Sequence, residues 1–202
     1  MLWEGGIRVP GILRWPSAIP ARQVSDIPVS GVDFLPTACE LAGIRLPSGL
    51  ELDGTSLVPL FRGQPLARAK PLYWHFHRAA EEPKVAMRLG DWKILAGFTP
   101  GFVSRSSNID RESEREVKQA QLGRCYLFNL RQDIGETTDL AASQPQRLAE
   151  MKATLQEMFS EVQTETPLWP FYINDNAEGK LIVWPDYVRK RSSQAAPRVR
   201  PE

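Results

Sequence analysis

Cysteine and histidine are scarce, at two residues each among 202. A disulfide-stapled scaffold needs more cysteines, and a four-ligand zinc centre needs a denser Cys/His cluster. Cys39 and Cys125 sit far apart in segments that read as a helix and a strand. They are expected to be buried free thiols in preference to a disulfide or a metal pair. Long apolar runs are also absent: no stretch approaches the roughly 20 residues of a membrane span, and the start lacks a basic-then-apolar secretory pattern. Nor is one sign of charge in excess. With 25 basic against 24 acidic residues, nothing selects nucleic acid or an anionic membrane as a partner.

Proline is abundant instead, at 17 residues, which implies short elements joined by turns. A hydrophobic share of 42% with 24% charged residues is ordinary globular material, and the length suffices for a core. Gly5-Gly6 reads as a turn tolerant of positive φ, followed by a largely apolar run from Ile7 to Trp15 that suggests a strand interrupted by Pro10 and Gly11. The stretch from Ala18 to Ser30 is a connector, and Asp26 with Ile27 is placed to begin the next element. Gly31 to Gly43 reads as a helix with Asp33 as N-cap, Pro36 in the first turn, an apolar face of Phe34, Leu35, Ala38, Leu41 and Ala42, and Gly43 as its stop. Asp53-Gly54 is a turn dipeptide, and Val58 to Phe61 a short apolar turn closed by Arg62-Gly63.

The segment Lys70 to Arg78 carries both histidines. Extended, it sends Tyr73, His75 and His77 to one face and Trp74 and Phe76 to the other. Two imidazoles at i and i+2, with Arg78 beside them, suit an anionic substrate or ordinary packing better than a metal, since no third ligand is near. Val85 to Leu95 is a hairpin around Gly90-Asp91, with Arg88 and Lys93 as cations that complement an anionic ligand or else are solvated surface groups. Residues 98–122 include a Gly/Ser-rich stretch and a mixed-charge run, which together suggest a solvent-exposed insertion. Gly123 to Leu130 is a strand with Cys125, Leu127 and Asn129 on one face and Tyr126, Phe128 and Leu130 on the other. The acidic residues from Asp133 to Asp139 read as turn and capping groups. A helix from about Pro145 to Gln163, capped by Ser143 or Gln144, carries the stripe Leu148, Met151, Leu155, Met158, Phe159 and Val162, worth on the order of 10 kcal/mol of burial before entropy. Residues 166–188 form a Pro/Trp-rich extension, and 189–202 a disordered tail.

Five separated motifs resemble the formylglycine-dependent sulfatases, of the arylsulfatase and N-acetylgalactosamine-6-sulfatase kind. Leu2 to Pro16 resembles their EGG-x-R-V-P segment, and Gly31 to Gly43 their V-D-x-x-P-T helix. Asp53, Gly54, Ser56, Leu57, Pro59, Leu60 and Gly63 meet D-G-x-S-L-x-P-L-x-x-G. Ala86 to Lys93 is similar to A-x-R-x-G-D-W-K, and Leu127 to Ala141 to the L-Y-x-L…D-x-x-E-x-x-N-L-A signature, with Phe128 in the aromatic position and Asp139 for Asn.

The resemblance implies an α+β fold, the C-terminal part of an alkaline-phosphatase-like α/β sulfatase. Residues 1–65 would end the large domain with a leading strand and a helix, and residues 66–165 would form a small antiparallel sheet packed by a C-terminal helix. It implies hydrolysis of a sulfate ester, of a sulfated carbohydrate or an aryl alcohol, by the complete protein. A C-x-P-x-R nucleophile motif, the Gly-Lys pair that precedes EGG and the acidic metal ligands are absent from this sequence. Calcium and formylglycine are accordingly expected in an N-terminal half, the partner of this chain, and no catalytic or metal residue is expected here. The chain alone is expected to be inactive. His75, His77, Arg78, Arg88 and Lys93 are the candidates for the substrate rim, and export to the periplasm or beyond is the family's habit. A non-catalytic carbohydrate-binding or interaction module is the alternative.

Overall fold

The computed structural model describes residues 1–77, 82–99 and 116–166. Its centre is an antiparallel sheet of four strands in the order β1-β2-β3-β4: Leu72–His75, Val85–Leu89, Trp92–Thr99 and Gln121–Asn129. The hairpin turn falls at Gly90-Asp91, where Gly90 takes φ +61, a conformation that glycine adopts without steric cost. Register pairs Arg88 with Lys93 across the hairpin and Lys93 with Phe128 across the next ladder, and the β3–β4 pairing slips between Ala96 and Phe98.

The alternation of side chains gives this sheet two covered faces. On one, Val85, Met87, Ile94, Ala96, Phe98 and Leu127 pack against Met151, Leu155 and Phe159 of the long helix Pro145–Glu165. This agrees with the expected stripe, of which Leu148 and Met158 lie half-buried at the margin. Pro145 stands at the first turn, but neither Gln144 nor Ser143 caps it by a side chain; the Ser143 hydroxyl donates to the Leu140 carbonyl instead. On the other face, Ala86, Leu95, Phe128 and Leu130 are covered by Leu2, with Trp3, Ile7, Trp74 and Tyr126 around it. Trp3 meets Tyr126 and Phe128 edge-on, at centroid distances of 5.9 and 5.7 Å.

The chain therefore starts on the small sheet. Glu4–Ile7 is one helical turn, α1, closed by the Gly6 and Ile7 amides on the Trp3 carbonyl and the Arg8 amide on that of Glu4. Gly5 and Gly6 do not use positive φ. Gly6 is needed for space: a Cβ there would lie 2.4 Å from the Met1 carbonyl oxygen. The expected leading strand does not form. A strand requires a ladder partner, and among the described residues none pairs with Arg8 to Trp15, where Val9, Ile12 and Leu13 face solvent. Asp26 and Ile27 likewise start no element.

A 3-10 turn, Gly31–Asp33, leads into α2, Phe34–Leu41, which stops at Gly43 with φ +65. Val58–Phe61 forms α3, ended by Gly63 with φ +68, and buries Leu57, Val58 and Phe61 under Ile19, Leu60 and Leu66. The helix Pro145–Glu165 is α4. Cys39 and Cys125 are free thiols, half-buried rather than fully enclosed, and burial raises the Cys125 pKa. The exposed insertion, the Pro/Trp-rich extension and the tail fall mainly or wholly outside the described residues.

Candidate functional site

Two buried charge centres dominate the polar interior. The first joins the chain start to the sheet. Lys93, from β3, has no exposed surface, and its ammonium donates to Glu4 Oε1 at 2.9 Å. Its Nζ is also 2.8 Å from Glu136 Oε1, a contact poorly aligned for a hydrogen bond and carried by charge attraction. Glu136 closes the triangle by accepting the Glu4 backbone N–H on Oε2 at 2.6 Å. The two carboxylate side chains are only 7% and 3% exposed. Arg8 and Arg88 each approach the outer oxygen of Glu4 at 3.9 Å, and Arg88 Nε donates to the Gly90 carbonyl at 3.0 Å. Burial lowers the Arg88 pKa from its ordinary value, with Glu4 opposing that shift.

Lys93 is therefore neither a solvated hairpin cation nor a group open to a ligand. The alternation that makes Ile94 and Leu95 core residues also turns Lys93 inward, onto the face where α1 lies. Arg88 is on that same face but borders a cleft of about 580 Å³ between the chain start and the sheet, with Arg8, Asp26 and Trp74 also at its walls.

The second centre is Asp33. Its carboxylate is fully buried and is gripped bidentately by Arg68, at 2.8 and 2.5 Å, while also accepting N–H groups of Thr55 and Ser30. Burial by itself would raise its pKa; the Arg68 bonds, then those from Thr55 and Ser30, outweigh burial and hold it below the ordinary carboxylate range. Asp33 thus does not cap α2 by its side chain, as the sequence suggested, but ties three loops together. Thr37, one turn on, donates to the Asp33 carbonyl and accepts from Leu57 N–H at 2.9 Å. Gly54 makes the approach possible, because a Cβ there would sit 1.9 Å from the Val32 carbonyl oxygen.

The histidines separate from both centres. His75 lies on the α4 side of the sheet, its ring 5.5 Å from Phe159 and 5.7 Å from Phe98, with the Tyr73 hydroxyl 3.4 Å from Nδ1. Burial, then the neighbouring His77, lowers its pKa to about 4, so the imidazole is neutral at pH 7. His77 stands just past the end of β1, its ring 6.1 Å from His75. Arg78 is outside the described residues. The described rim candidates are not brought together: Arg88 and Lys93 point to one face of the sheet and His75 to the other. Sequence reasoning missed Glu4 and Glu136 as partners of Lys93; acidic residues opposite a lone inward lysine were the available signal.

No described group of three or more His, Cys, Asp or Glu could hold a metal, and the one fully buried carboxylate beyond the first centre is saturated by Arg68. The described donor set does not fit calcium; neither half-buried cysteine begins a C-x-P-x-R motif, and the S-x-P-x-R pattern of Ser143 to Arg147 opens α4, with the Ser143 hydroxyl donating to the Leu140 carbonyl.

Comparison with known proteins sets this geometry in a family. The family model for the C-terminal part of N-sulphoglucosamine sulphohydrolase matches residues 1–96. The chain belongs to the sulfatase family, as a C-terminal region. Human steryl-sulfatase is 40% identical over 111 residues, covering 52% of this chain and 18% of the relative. A sulfatase of Formosa agariphila is 30% identical over 148 residues, covering 71% of this chain and 24% of the relative. The chain thus spans about a fifth to a quarter of these relatives. Among solved structures, Ps i-CgsB is 25% identical with a TM-score of 0.52, over 82% of this chain and 31% of that one. The α+β arrangement of a small antiparallel sheet with a covering helix is that of a sulfatase C-terminal region.

Proposed function

We propose that this chain is the C-terminal portion of a sulfate ester hydrolase, acting on a sulfated carbohydrate or aryl sulfate, and that it does not turn over by itself. Its partner is an N-terminal sulfatase half that supplies the formylglycine nucleophile and the calcium site. In this reading residues 1–65 finish the large domain and residues 66–165 form the small subdomain, and the joined protein works in the periplasm or outside the cell. The observation that carries the reading is α2. Thr37 and the Asp33 that precedes the helix are buried, whereas Phe34, Leu35 and Leu41 are 63%, 52% and 45% exposed. Water does not favour that arrangement, so the apolar side is matched to a surface that the described residues do not provide. Val9, Ile12 and Leu13, exposed and without a ladder partner among the described residues, continue the same pattern.

The test is turnover of a generic aryl sulfate in calcium by the purified chain and by the chain joined to, or mixed with, the product of the coding region just upstream. Turnover confined to the joined sample supports the proposal. Turnover by the chain alone refutes the division of labour, and none in either sample refutes the hydrolase reading.

A further inference from the structure

We propose that Lys93 is a positioning residue that locks the register of residues 1–8 on the sheet, and that this lock sets where the catalytic half meets the small subdomain. The second clause rests on the hydrolase reading above; the first does not. Apolar contact of Leu2, Trp3 and Ile7 with Ala86, Leu95 and Phe128 holds the segment down, but such contact is non-directional and tolerates sliding and rotation. The ion cluster is directional. Lys93 fixes the Glu4 side chain at 2.9 Å, and Glu136 fixes the Glu4 backbone at 2.6 Å, so both ends of one residue are anchored to elements distant in sequence.

The features of the cluster are those of a specificity device more than of a stabiliser. Three charges have lost nearly all of their water, and an apolar replacement of such a group commonly leaves stability unchanged or improved, so what the cluster adds over apolar packing is direction. Glu136 in addition holds φ +53, the left-handed region that a residue with a Cβ seldom adopts. That conformation is maintained by the Asp133 carboxylate, which takes the Thr137 and Thr138 N–H groups. The loop spends backbone strain to aim one carboxylate at Glu4 and Lys93. Gly6, against the Met1 carbonyl, transmits the fixed position of Glu4 to the first residue of the chain. Any chain preceding Met1 in a joined protein enters through this anchored turn.

Hydrogen exchange on the chain alone tests the lock. Lys93→Met is expected to accelerate exchange of the amides of residues 4–8 by about tenfold or more, while Ile94, Ala96 and Leu127 keep their protection. Glu4→Gln keeps the shape and the backbone bond to Glu136, and is expected to accelerate the same amides by about threefold. Uniform acceleration across the sheet, or none at residues 4–8, overturns the proposal. If Lys93→Met does not fold, Glu4→Gln decides: a change confined to residues 4–8 supports the lock, and no change there removes it. In the joined protein Lys93→Met is expected to lower kcat by about tenfold with KM within about twofold, since the residue touches no substrate. An unchanged kcat overturns the positioning role. An inactive wild-type joined protein would instead sink the hydrolase reading, leaving the exchange result to judge the lock.

Discussion

The sheet with α4 and the region around α2 bury opposite kinds of side chain. In the first, Met87, Ile94, Leu95, Leu127, Leu155 and Phe159 are enclosed and the charges of α4 face water. In the second, a carboxylate and a threonine hydroxyl are enclosed while Phe34, Leu35 and Leu41 face out. The first region supplies its own core, because two covered faces of one sheet remove enough apolar surface to hold it. The second is held mainly by hydrogen bonds and one bidentate ion pair around Asp33, with the small cluster of Leu57, Val58 and Phe61 beside it. Polar ties of this sort fix geometry well. They contribute less net stability, since each replaces a bond to water.

Substitutions can break that contrast, and the largest effect is expected at Phe159. Phe159→Ala opens a hole between His75, Phe98 and the helix, and should cost about 3–5 kcal/mol in denaturant unfolding of the whole sheet. Asp33→Ala should come next. It leaves the Arg68 guanidinium, 14% exposed, without its carboxylate, and should weaken the surroundings of α2 by about 3 kcal/mol. The contrast requires this loss to be local: exchange protection at Thr55 and Leu57 should fall while that of Ile94 and Leu127 stays. If the sheet melted together with α2, the two regions would be one cooperative unit.

Acidification should separate the regions by pH. His75 titrates at about 4 in the fold against 6.5 ordinarily, so the unfolded chain takes up its proton first. Stability of the sheet should decline as pH falls from 6.5 towards 4, lowering the melting temperature by a few degrees, and His75→Phe should flatten that slope. Asp33 behaves in the other sense. Its contribution is present above 3.8 and is lost only as pH falls through its still lower folded value. Between pH 6.5 and 4 the α2 region should therefore hold while the sheet weakens, as site-resolved exchange would show. The smallest effect is expected from Phe34→Ser or Leu41→Ser, within about 0.5 kcal/mol in the chain alone. The same changes should weaken association with the upstream half, and equal association would remove α2 from the docking surface.

Much of the sheet was legible because period-2 alternation and a Gly-Asp turn are local signals. Strands β2, β3 and β4, the two faces of β4 and the α4 stripe follow from residue order alone. The positive φ of Gly43 and the stop at Gly63 were legible for the same reason. The leading strand was not, since an apolar run from Ile7 to Trp15 states a preference and a ladder needs an edge. Asp33 shows the limit at a single residue: its place before an apolar run fits a cap, and it does accept the Ser30 N–H in a capping box, while its other partners, Arg68 and Thr55, lie 35 and 22 positions away. The rim candidates met the same limit. A cation in a hairpin reads alike whether it meets water, a sulfate or a buried glutamate.

The sequence by itself determined the family resemblance, the sheet with its covering helix, and the want of a C-x-P-x-R nucleophile, because each is written in neighbouring residues. Tertiary structure alone decided that Lys93 is enclosed by Glu4 and Glu136, that His75 is a core ring, and that α2 turns its apolar side outward. Each of these depends on groups brought together from 20 to 132 positions apart, and local pattern carries no information about which distant partner removes the water.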